Sequence, residues 1–493
     1  MYFLGYDLGS SSVKASILNG ETGVAVAKSA YPDDELAIEA KQPGWAEQHP
    51  DRWWESVEGA TERVLGDAGI DPGKIQAIGI SYQMHGLVVV DASGSVLRPS
   101  IIWCDSRAVD IGRRAYEALG RERCLRTLLS SPGNFTASKL AWVREAEPEL
   151  FARVHRAMLP GDWLAYALTG RIATTLSGLS EAMLWDFERH ELAAFVLDHY
   201  GIPRSMVPEM VPTFGEQGGV SAEAARSLGL VEGTPVTYRS GDQPNNALAL
   251  GVLEPGEIAA TAGTSGVVYG VSDSVRADPE SRVNSFAHVN HSKGKARLGV
   301  LLCVNGAGSS NRWLKQMFQE PSYGQLNQRA TEAPVGCEGL RVHPFGNGAE
   351  RMLGDRDLGA SLTGLAFNTH DRRHLARAVL EGVAFAFRYG MDILAELGVR
   401  ASVLRAGRTN MFLSPVFREA LVETSGVGLE LYDTDGADGA ARGAAIGASY
   451  YASPAEALER LTLLERVVPD RGRETQYRDA YQDWLAELEK RLQ

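Results

Sequence analysis

Asp7 and Asp242 each stand where an apolar run stops. Asp7 closes Tyr2 to Tyr6 and precedes Gly9-Ser10-Ser11-Ser12, while Asp242 follows Val236 to Tyr238 and precedes Asn245-Asn246-Ala247-Leu248-Ala249-Leu250. A carboxylate beside buried strand residues is unfavourable unless it is paired, hydrogen-bonded or metal-bound. Asp7 therefore reads as a turn residue or as a cation ligand, and Asp242 as a helix cap or as a base in a cleft. Short turns of Gly, Ser and Thr expose N–H groups and hydroxyls that can wrap anionic oxygens. The chain has two of them, Gly9-Ser10-Ser11-Ser12 and Gly263-Thr264-Ser265-Gly266. Either alone is explained as a plain hairpin turn; one in each half of the chain raises the phosphate-binding reading.

Other residues carry two readings as well. His85, between Met84 and Gly86, is a satisfied core or loop histidine or a ligand-facing one. Gly439, Gly443 and Gly447 fall at i, i+4 and i+8, which suits close helix packing or a nucleotide lying on that face. Cys104, Cys124, Cys303 and Cys337 are scattered without a CxxC pair or a histidine cluster, so buried free thiols are expected. GxxxxGK[ST], HExxH and GxSxG are all missing.

The elements that must position these groups alternate between strand and helix. Tyr2 to Tyr6, Val13 to Leu18 and Val24 to Ala27 predict a β-meander. Pro50 to Ala68 carries Trp53, Trp54, Val57, Ala60, Val64 and Leu65 at helical spacing, with Gly69 just past its end. Ile75 to Ser81 and Gly86 to Val90 read as strands around Gln83-Met84-His85. Ile258 to Ala262 and Val267 to Val271 make a second hairpin, preceded by a helix over Asn245 to Gly251 and followed later by a long helix over His374 to Leu397. The class is α/β, with a duplicated domain divided near Leu253-Glu254-Pro255-Gly256, giving 1–253 and 254–493.

With 49 Lys and Arg against 62 Asp and Glu, the net charge of −13 argues against general binding to nucleic acid or anionic membrane. A chain of 493 residues exceeds the ~250–300 at which one core stops growing, so two or more domains are expected. No run reaches the ~18 apolar residues of a membrane span, and the first residues lack the pattern of a secretory signal. The expectation is a cytoplasmic protein.

The order of these pieces resembles the FGGY family of carbohydrate kinases along nearly the whole chain. Tyr6-Asp7-Leu8-Gly9-Ser10-Ser11-Ser12-Val13-Lys14 is similar to the family's first phosphate motif, and Gly44-Trp45-Ala46-Glu47-Gln48, Gln83-Met84-His85-Gly86 and Ile102-Trp103-Cys104-Asp105-Ser106-Arg107 follow in the family's order. Thr136-Ala137-Ser138-Lys139-Leu140-Ala141-Trp142-Val143 resembles most of the first signature, and Ala360 to Glu381 the second. Gly241-Asp242 takes the catalytic-base position, Gly263-Thr264-Ser265-Gly266 the second phosphate motif, and Gly436 to Ala445 the end of the adenosine region. Three places depart from the family: Ala406-Gly407-Arg408-Thr409-Asn410-Met411-Phe412 replaces its glycine cluster, Gln243-Pro244 its Asn-Ala, and Met352 its Thr.

The resemblance implies two ribonuclease-H-like domains, as in actin and hexokinases, flanking a cleft that takes MgATP and a sugar. It makes Asp242 the general base, Asp7 and Asp242 the Mg²⁺ side, and Met84, His85, Trp103, Asp105 and Gln243 the sugar side. Ser10, Ser11, Lys14, Gly263, Thr264 and Ser265 would line the phosphate path, with Gly407 and Gly439 facing adenosine. The Met84-His85-Gly86 form points to D-xylulose, phosphorylated at its terminal hydroxyl. Other ketoses, sugar acids or polyols remain alternatives, as does a non-catalytic nucleotide switch of the actin or heat-shock-chaperone kind. The expected partners are sugar and ATP alone, without nucleic acid or membrane; a homodimer is compatible with this.

Overall fold

In the opening strand, alternation decides which residues meet which layer. Residues 1–493 are described by a computed structural model. Its first half contains β1 (Tyr2–Leu8), β2 (Val13–Asn19), β3 (Ala25–Tyr31), α1 (Pro50–Ala68), β4 (Ile75–Tyr82), α2 (Thr136–Ala146), α3 (Leu176–Glu181), β5 (Val236–Gly241) and α4 (Asp242–Ala249). The second half contains β6 (Glu257–Ala262), β7 (Gly266–Ser272), β8 (Asn284–Ala287), β9 (Leu298–Val304), α5 (Ala307–Phe318), α6 (Arg372–Glu396), β10 (Val403–Gly407), β11 (Leu429–Tyr432), α7 (Gly436–Gly447) and β12 (Leu463–Val467). Shorter elements connect them.

The first sheet has the order β3-β2-β1-β4-β5, and the second β8-β9-β7-β6-β10-β11-β12. In the first, β1, β2 and β3 pair antiparallel while β1, β4 and β5 run parallel. The second repeats this with β6, β7 and β9 antiparallel and β6, β10 and β11 parallel. The same five-strand order, met twice, makes both halves ribonuclease-H-like domains.

On β1, Leu4, Tyr6 and Leu8 join Trp53, Val57, Ala60 and Val64 of α1 in one core, and Phe3, on the opposite face, joins Ala440, Ala441 and Ala444 of α7 in another. The helix α7 belongs by sequence to the second half, yet it lies under the first sheet. Glycines permit this approach: a Cβ on Gly5 would fall 2.1 Å from the Ala437 carbonyl oxygen, and one on Gly79 would fall 1.9 Å from that of Ala440. Beneath the second sheet, the buried Val379, Val383 and Phe387 of α6 pack into a core with Val268, Val300 and Leu302.

Several expectations are met closely. The first helix runs from Pro50 to Ala68, opened by His49 accepting from the Asp51 N–H and closed by Gly69 at φ 59°. Others are corrected. The strand expected from Gly86 starts at Val88, because His85 sits at φ 63° and breaks extended pairing. The helix expected from Asn245 begins at Asp242, with Gly241 as its N-cap. Asp242 is thus not the cap. Cys124 and Cys337 are buried, but Cys104 is exposed and Cys303 is partly exposed.

Candidate active site

Strand ends bring the chemistry together. A cavity of about 400 Å³ lies between the two halves, lined by Asp7, Gly9, Ser10, Ser11, Ser12 and Lys14 from the first hairpin. Gln83, Met84, His85, Trp103, Asp242 and Gln243 complete the first half's side, and Ser265, Val267, Leu301 and Cys303 come from the second. A second cavity, about 290 Å³, is lined by Gly263, Thr264, Gly308, Asn311, Arg312 and Asn410 among others. The Gly263–Ser265 turn therefore separates the two spaces. It is packed against the N-terminus of α5: Ser309 N donates to Thr264 O at 3.0 Å, and a Cβ on Gly308 would fall 1.9 Å from Gly263 O. A cavity of about 450 Å³ opens elsewhere, between Trp313, Asn347 and Leu362; none of its lining residues is ionisable.

The two carboxylates repel each other. Burial, reinforced by the charge of Asp7, pushes Asp242 up to about 7, and the Gln243 side-chain amide, donating to Oδ2 at 3.0 Å, opposes this. Asp7 is raised chiefly by burial, against the cross-strand Lys14 and the Ser81 hydroxyl, which donates to Oδ1 at 2.8 Å. Asp7 also lies against the first residue of α7, where a Cβ on Gly436 would fall 2.4 Å from Oδ2. The N-terminal end of a helix favours a negative charge.

His85 is held from several sides. Its N–H donates to Glu181 Oε2 at 2.8 Å, its Nδ1 lies 3.2 Å from Glu181 O, and its carbonyl accepts from Lys139 Nζ at 2.8 Å. Its ring packs on Phe135 and on Phe286 of the second half, with centroids 4.7 and 5.3 Å away. Burial and nearby Lys139 lower it to about 3, so the ring is neutral at physiological pH. Trp103 is 52% exposed at the rim, with Nε1 3.3 Å from the Ser10 hydroxyl.

Of the residues expected from sequence, Asp7, Ser10, Ser11, Lys14, Met84, His85, Trp103, Asp242, Gln243 and Ser265 line the first cavity, and Gly263 and Thr264 the second. Three are corrected. Asp105 is buried in an ion pair with Arg107 at 2.7 Å and accepts from Ala46 N at 2.6 Å, so it fastens the Trp45 segment and faces neither cavity. Gly439 meets Ala249 and Asn245 of α4, while Gly443 and Gly447 meet Tyr238 and Thr237 of β5, so the glycine spacing lets α7 pack closely on both. Gly407 ends β10 beside Tyr432 and lines neither cavity; Asn410 and Met411, just beyond it, line the second.

Sequence reasoning missed Glu181, Leu301 and Cys303, and gave Lys139 no role. Lys139 carried a usable signal, a lone lysine inside the apolar face of α2, where it is fully buried. Glu181 carried none.

Two ribonuclease-H-like domains, each presenting a Gly/Ser/Thr hairpin to a shared cleft with two carboxylates, define a nucleotide-dependent phosphotransferase. The chain belongs to the FGGY family of carbohydrate kinases, matching its N-terminal domain over residues 2–249 and its C-terminal domain over 258–452. It is a carbohydrate kinase that uses ATP. It is 30% identical over 482 residues to the xylulose kinase of Escherichia coli K12, covering 96% of each chain. Among solved structures it is similar to a xyloylose kinase from Brucella ovis (28% identity, TM-score 0.89) and to the xylulose kinase from Rhodospirillum rubrum (26%, 0.88), covering 99% of each chain in both cases.

Proposed function

We propose that the chain transfers the γ-phosphoryl group of ATP to the terminal hydroxyl of D-xylulose, giving D-xylulose 5-phosphate, with Asp242 as general base. The observation that carries this reading is the placement of Asp242. It shares one cavity with Met84 and His85 and with residues of both hairpin turns, and its proton affinity, about 7, suits accepting a hydroxyl proton near neutrality. The xylulose kinases among its relatives support the sugar.

Phosphoryl transfer asks the protein for positioning and charge neutralisation. Ser10, Ser11, Lys14 and the Gly263-Thr264-Ser265 turn would hold phosphate oxygens, and the cavity at Asn410 would take the nucleoside. Met84, His85, Trp103 and Gln243 would face the sugar. No cluster of three or more His, Cys, Asp or Glu side chains forms a metal cage. Mg²⁺ commonly uses one or two carboxylates together with substrate phosphates and water, and the mutually repelling Asp7 and Asp242 fit that demand. Bound there, it would neutralise phosphate charge.

On this reading residues 1–253 carry the sugar side and the base, and 254–493 the nucleotide side. A cytoplasmic setting fits such a metabolic role, and no helix is long and apolar enough to cross a membrane. A coupled ADP-release assay across ketoses, sugar acids and polyols tests the substrate. D-xylulose should give the highest kcat/KM, and a higher value for L-ribulose, glycerol or gluconate would overturn it.

A further inference from the structure

We propose that Glu181 is a positioning residue for sugar recognition, holding His85 in a left-handed backbone conformation that presents the ring's Nε2 to the cleft. His85 is not a glycine, yet its φ is 63°. That region is sparsely populated for side-chain-bearing residues and persists only where the surroundings over-determine it. Glu181 supplies two of the constraints, through Oε2 to the His85 N–H at 2.8 Å and through its carbonyl to Nδ1 at 3.2 Å. Its other oxygen, Oε1, accepts from the Tyr82 hydroxyl at 2.7 Å, which fixes the carboxyl group at the end of β4. Lys139 Nζ closes the arrangement on the His85 carbonyl.

The tautomer follows from chemistry. A carbonyl oxygen only accepts, so Nδ1 must carry the ring proton, and Nε2 keeps its lone pair. No group of the protein hydrogen-bonds Nε2, and His85 lines the cavity. A sugar hydroxyl donating to Nε2 would satisfy it. Glu181 itself is 1% exposed, and a Cβ on Gly241 would lie 3.0 Å from Oε1. The same carboxyl group therefore touches the Met84–His85 turn and the strand end preceding Asp242. Burial raises it to about 8, so it is largely neutral at pH 7, and glutamine can replace it with the amide oxygen accepting from His85 N–H and the amide nitrogen donating to the Tyr82 oxygen, the reverse of the bond that Oε1 accepts.

This inference rests on the reading of His85 as a sugar contact, and the test separates the two. In the full-length enzyme, steady-state kinetics are measured with D-xylulose varied at saturating MgATP and with ATP varied at saturating sugar. Glu181→Leu should raise the sugar KM about tenfold to a hundredfold, the scale of losing precise placement, with the ATP KM unchanged. Glu181→Gln should restore the sugar KM to within about threefold. In a His85→Ala background, Glu181→Leu should add nothing. An unchanged sugar KM in Glu181→Leu, an equal rise for sugar and ATP, or a full additional effect on top of His85→Ala would overturn the proposal. Should Glu181→Leu fail to fold, Glu181→Asp withdraws the carboxyl by one methylene and is judged by the same sugar KM. If His85→Ala leaves the sugar KM unchanged, the sugar-site reading itself falls; if it raises that KM and the Glu181 variants do not, only the role of Glu181 falls.

Discussion

Replacing Asp242 by Asn should slow turnover and stabilise the fold in the same variant. Burial and the charge of Asp7 move this carboxyl from its ordinary 3.8 to about 7. If realised in full, that displacement is worth about 4 kcal/mol. Asp242 is only partly buried at the cleft, and solvent screening reduces the figure to about 1–2 kcal/mol. Because the folded value lies above the unfolded one, the favourable contribution is complete below about pH 4 and is lost as pH rises through about 7. At pH 8 the ionised group works against folding, and Asn removes it. Melting at pH 8 should therefore occur about 1–2 °C higher in Asp242→Asn, with the difference shrinking toward pH 5. Since Gly241 is the N-cap, no cap is lost to offset the gain. In the ADP-release assay kcat should fall ~10²–10⁴-fold, the usual contribution of a general base, while sugar affinity changes little. Near-wild-type kcat would remove Asp242 from the mechanism, and a lower melting temperature at pH 8 would refute the electrostatic reasoning.

The wild-type kcat/KM for sugar should decline below about pH 7 as one proton is taken up, and Asp7→Asn, by deleting the charge that raises Asp242, should move this inflection to lower pH. The same variant should show a rate defect that is partly relieved by raising Mg²⁺, tested by titrating the metal at fixed ATP. Gly79→Ala would set a methyl 1.9 Å from the Ala440 carbonyl oxygen and should abolish or strongly destabilise folding, whereas Gly66→Ala, with nothing within 4 Å and inside α1, should add about 0.5–1 kcal/mol; thermal melting of the pair distinguishes them. Sugar with a non-hydrolysable nucleotide should reduce the radius of gyration in solution scattering, because closure must exclude water from the transferred phosphate; no change at saturation would count against hinge motion.

Much of the scaffold was readable because local signals there agree with the tertiary demand. Pro50, the Trp53–Leu65 spacing and Gly69 delimit α1 without help from distant residues. The Gly/Ser/Thr turns were readable as cavity-lining elements because their composition is turn-forming and exposes N–H groups and hydroxyls. Asp105 and Gly439 misled for a physical reason: a carboxylate or a glycine in a motif says nothing of its partner, and here the partners are Arg107 and Ala249. Glu181 was invisible because its meaning lies wholly in what it touches. Its sequence neighbours Ser180 and Ala182 are unremarkable, and its partners Tyr82 and His85 are about a hundred residues away. The beginning of α4 was misplaced because sequence periodicity favoured the apolar Ala247–Leu250 stretch over the polar first turn.

The placement of α7 beneath the first sheet has a consequence for how the protein is made. A nascent chain released as far as residue 253 holds all five strands of that sheet, but the face carrying Phe3, Gly5, Ala77 and Gly79 stays bare until residues 436–447 emerge. The first half must wait, incompletely covered, for most of the second to be synthesised. A gene cut at residue 253 should accordingly yield an N-terminal fragment that is sticky and unstable alone, and a C-terminal fragment with a helix of stacked Gly and Ala that has nothing to lie on. Expressed together, each supplies the surface the other lacks.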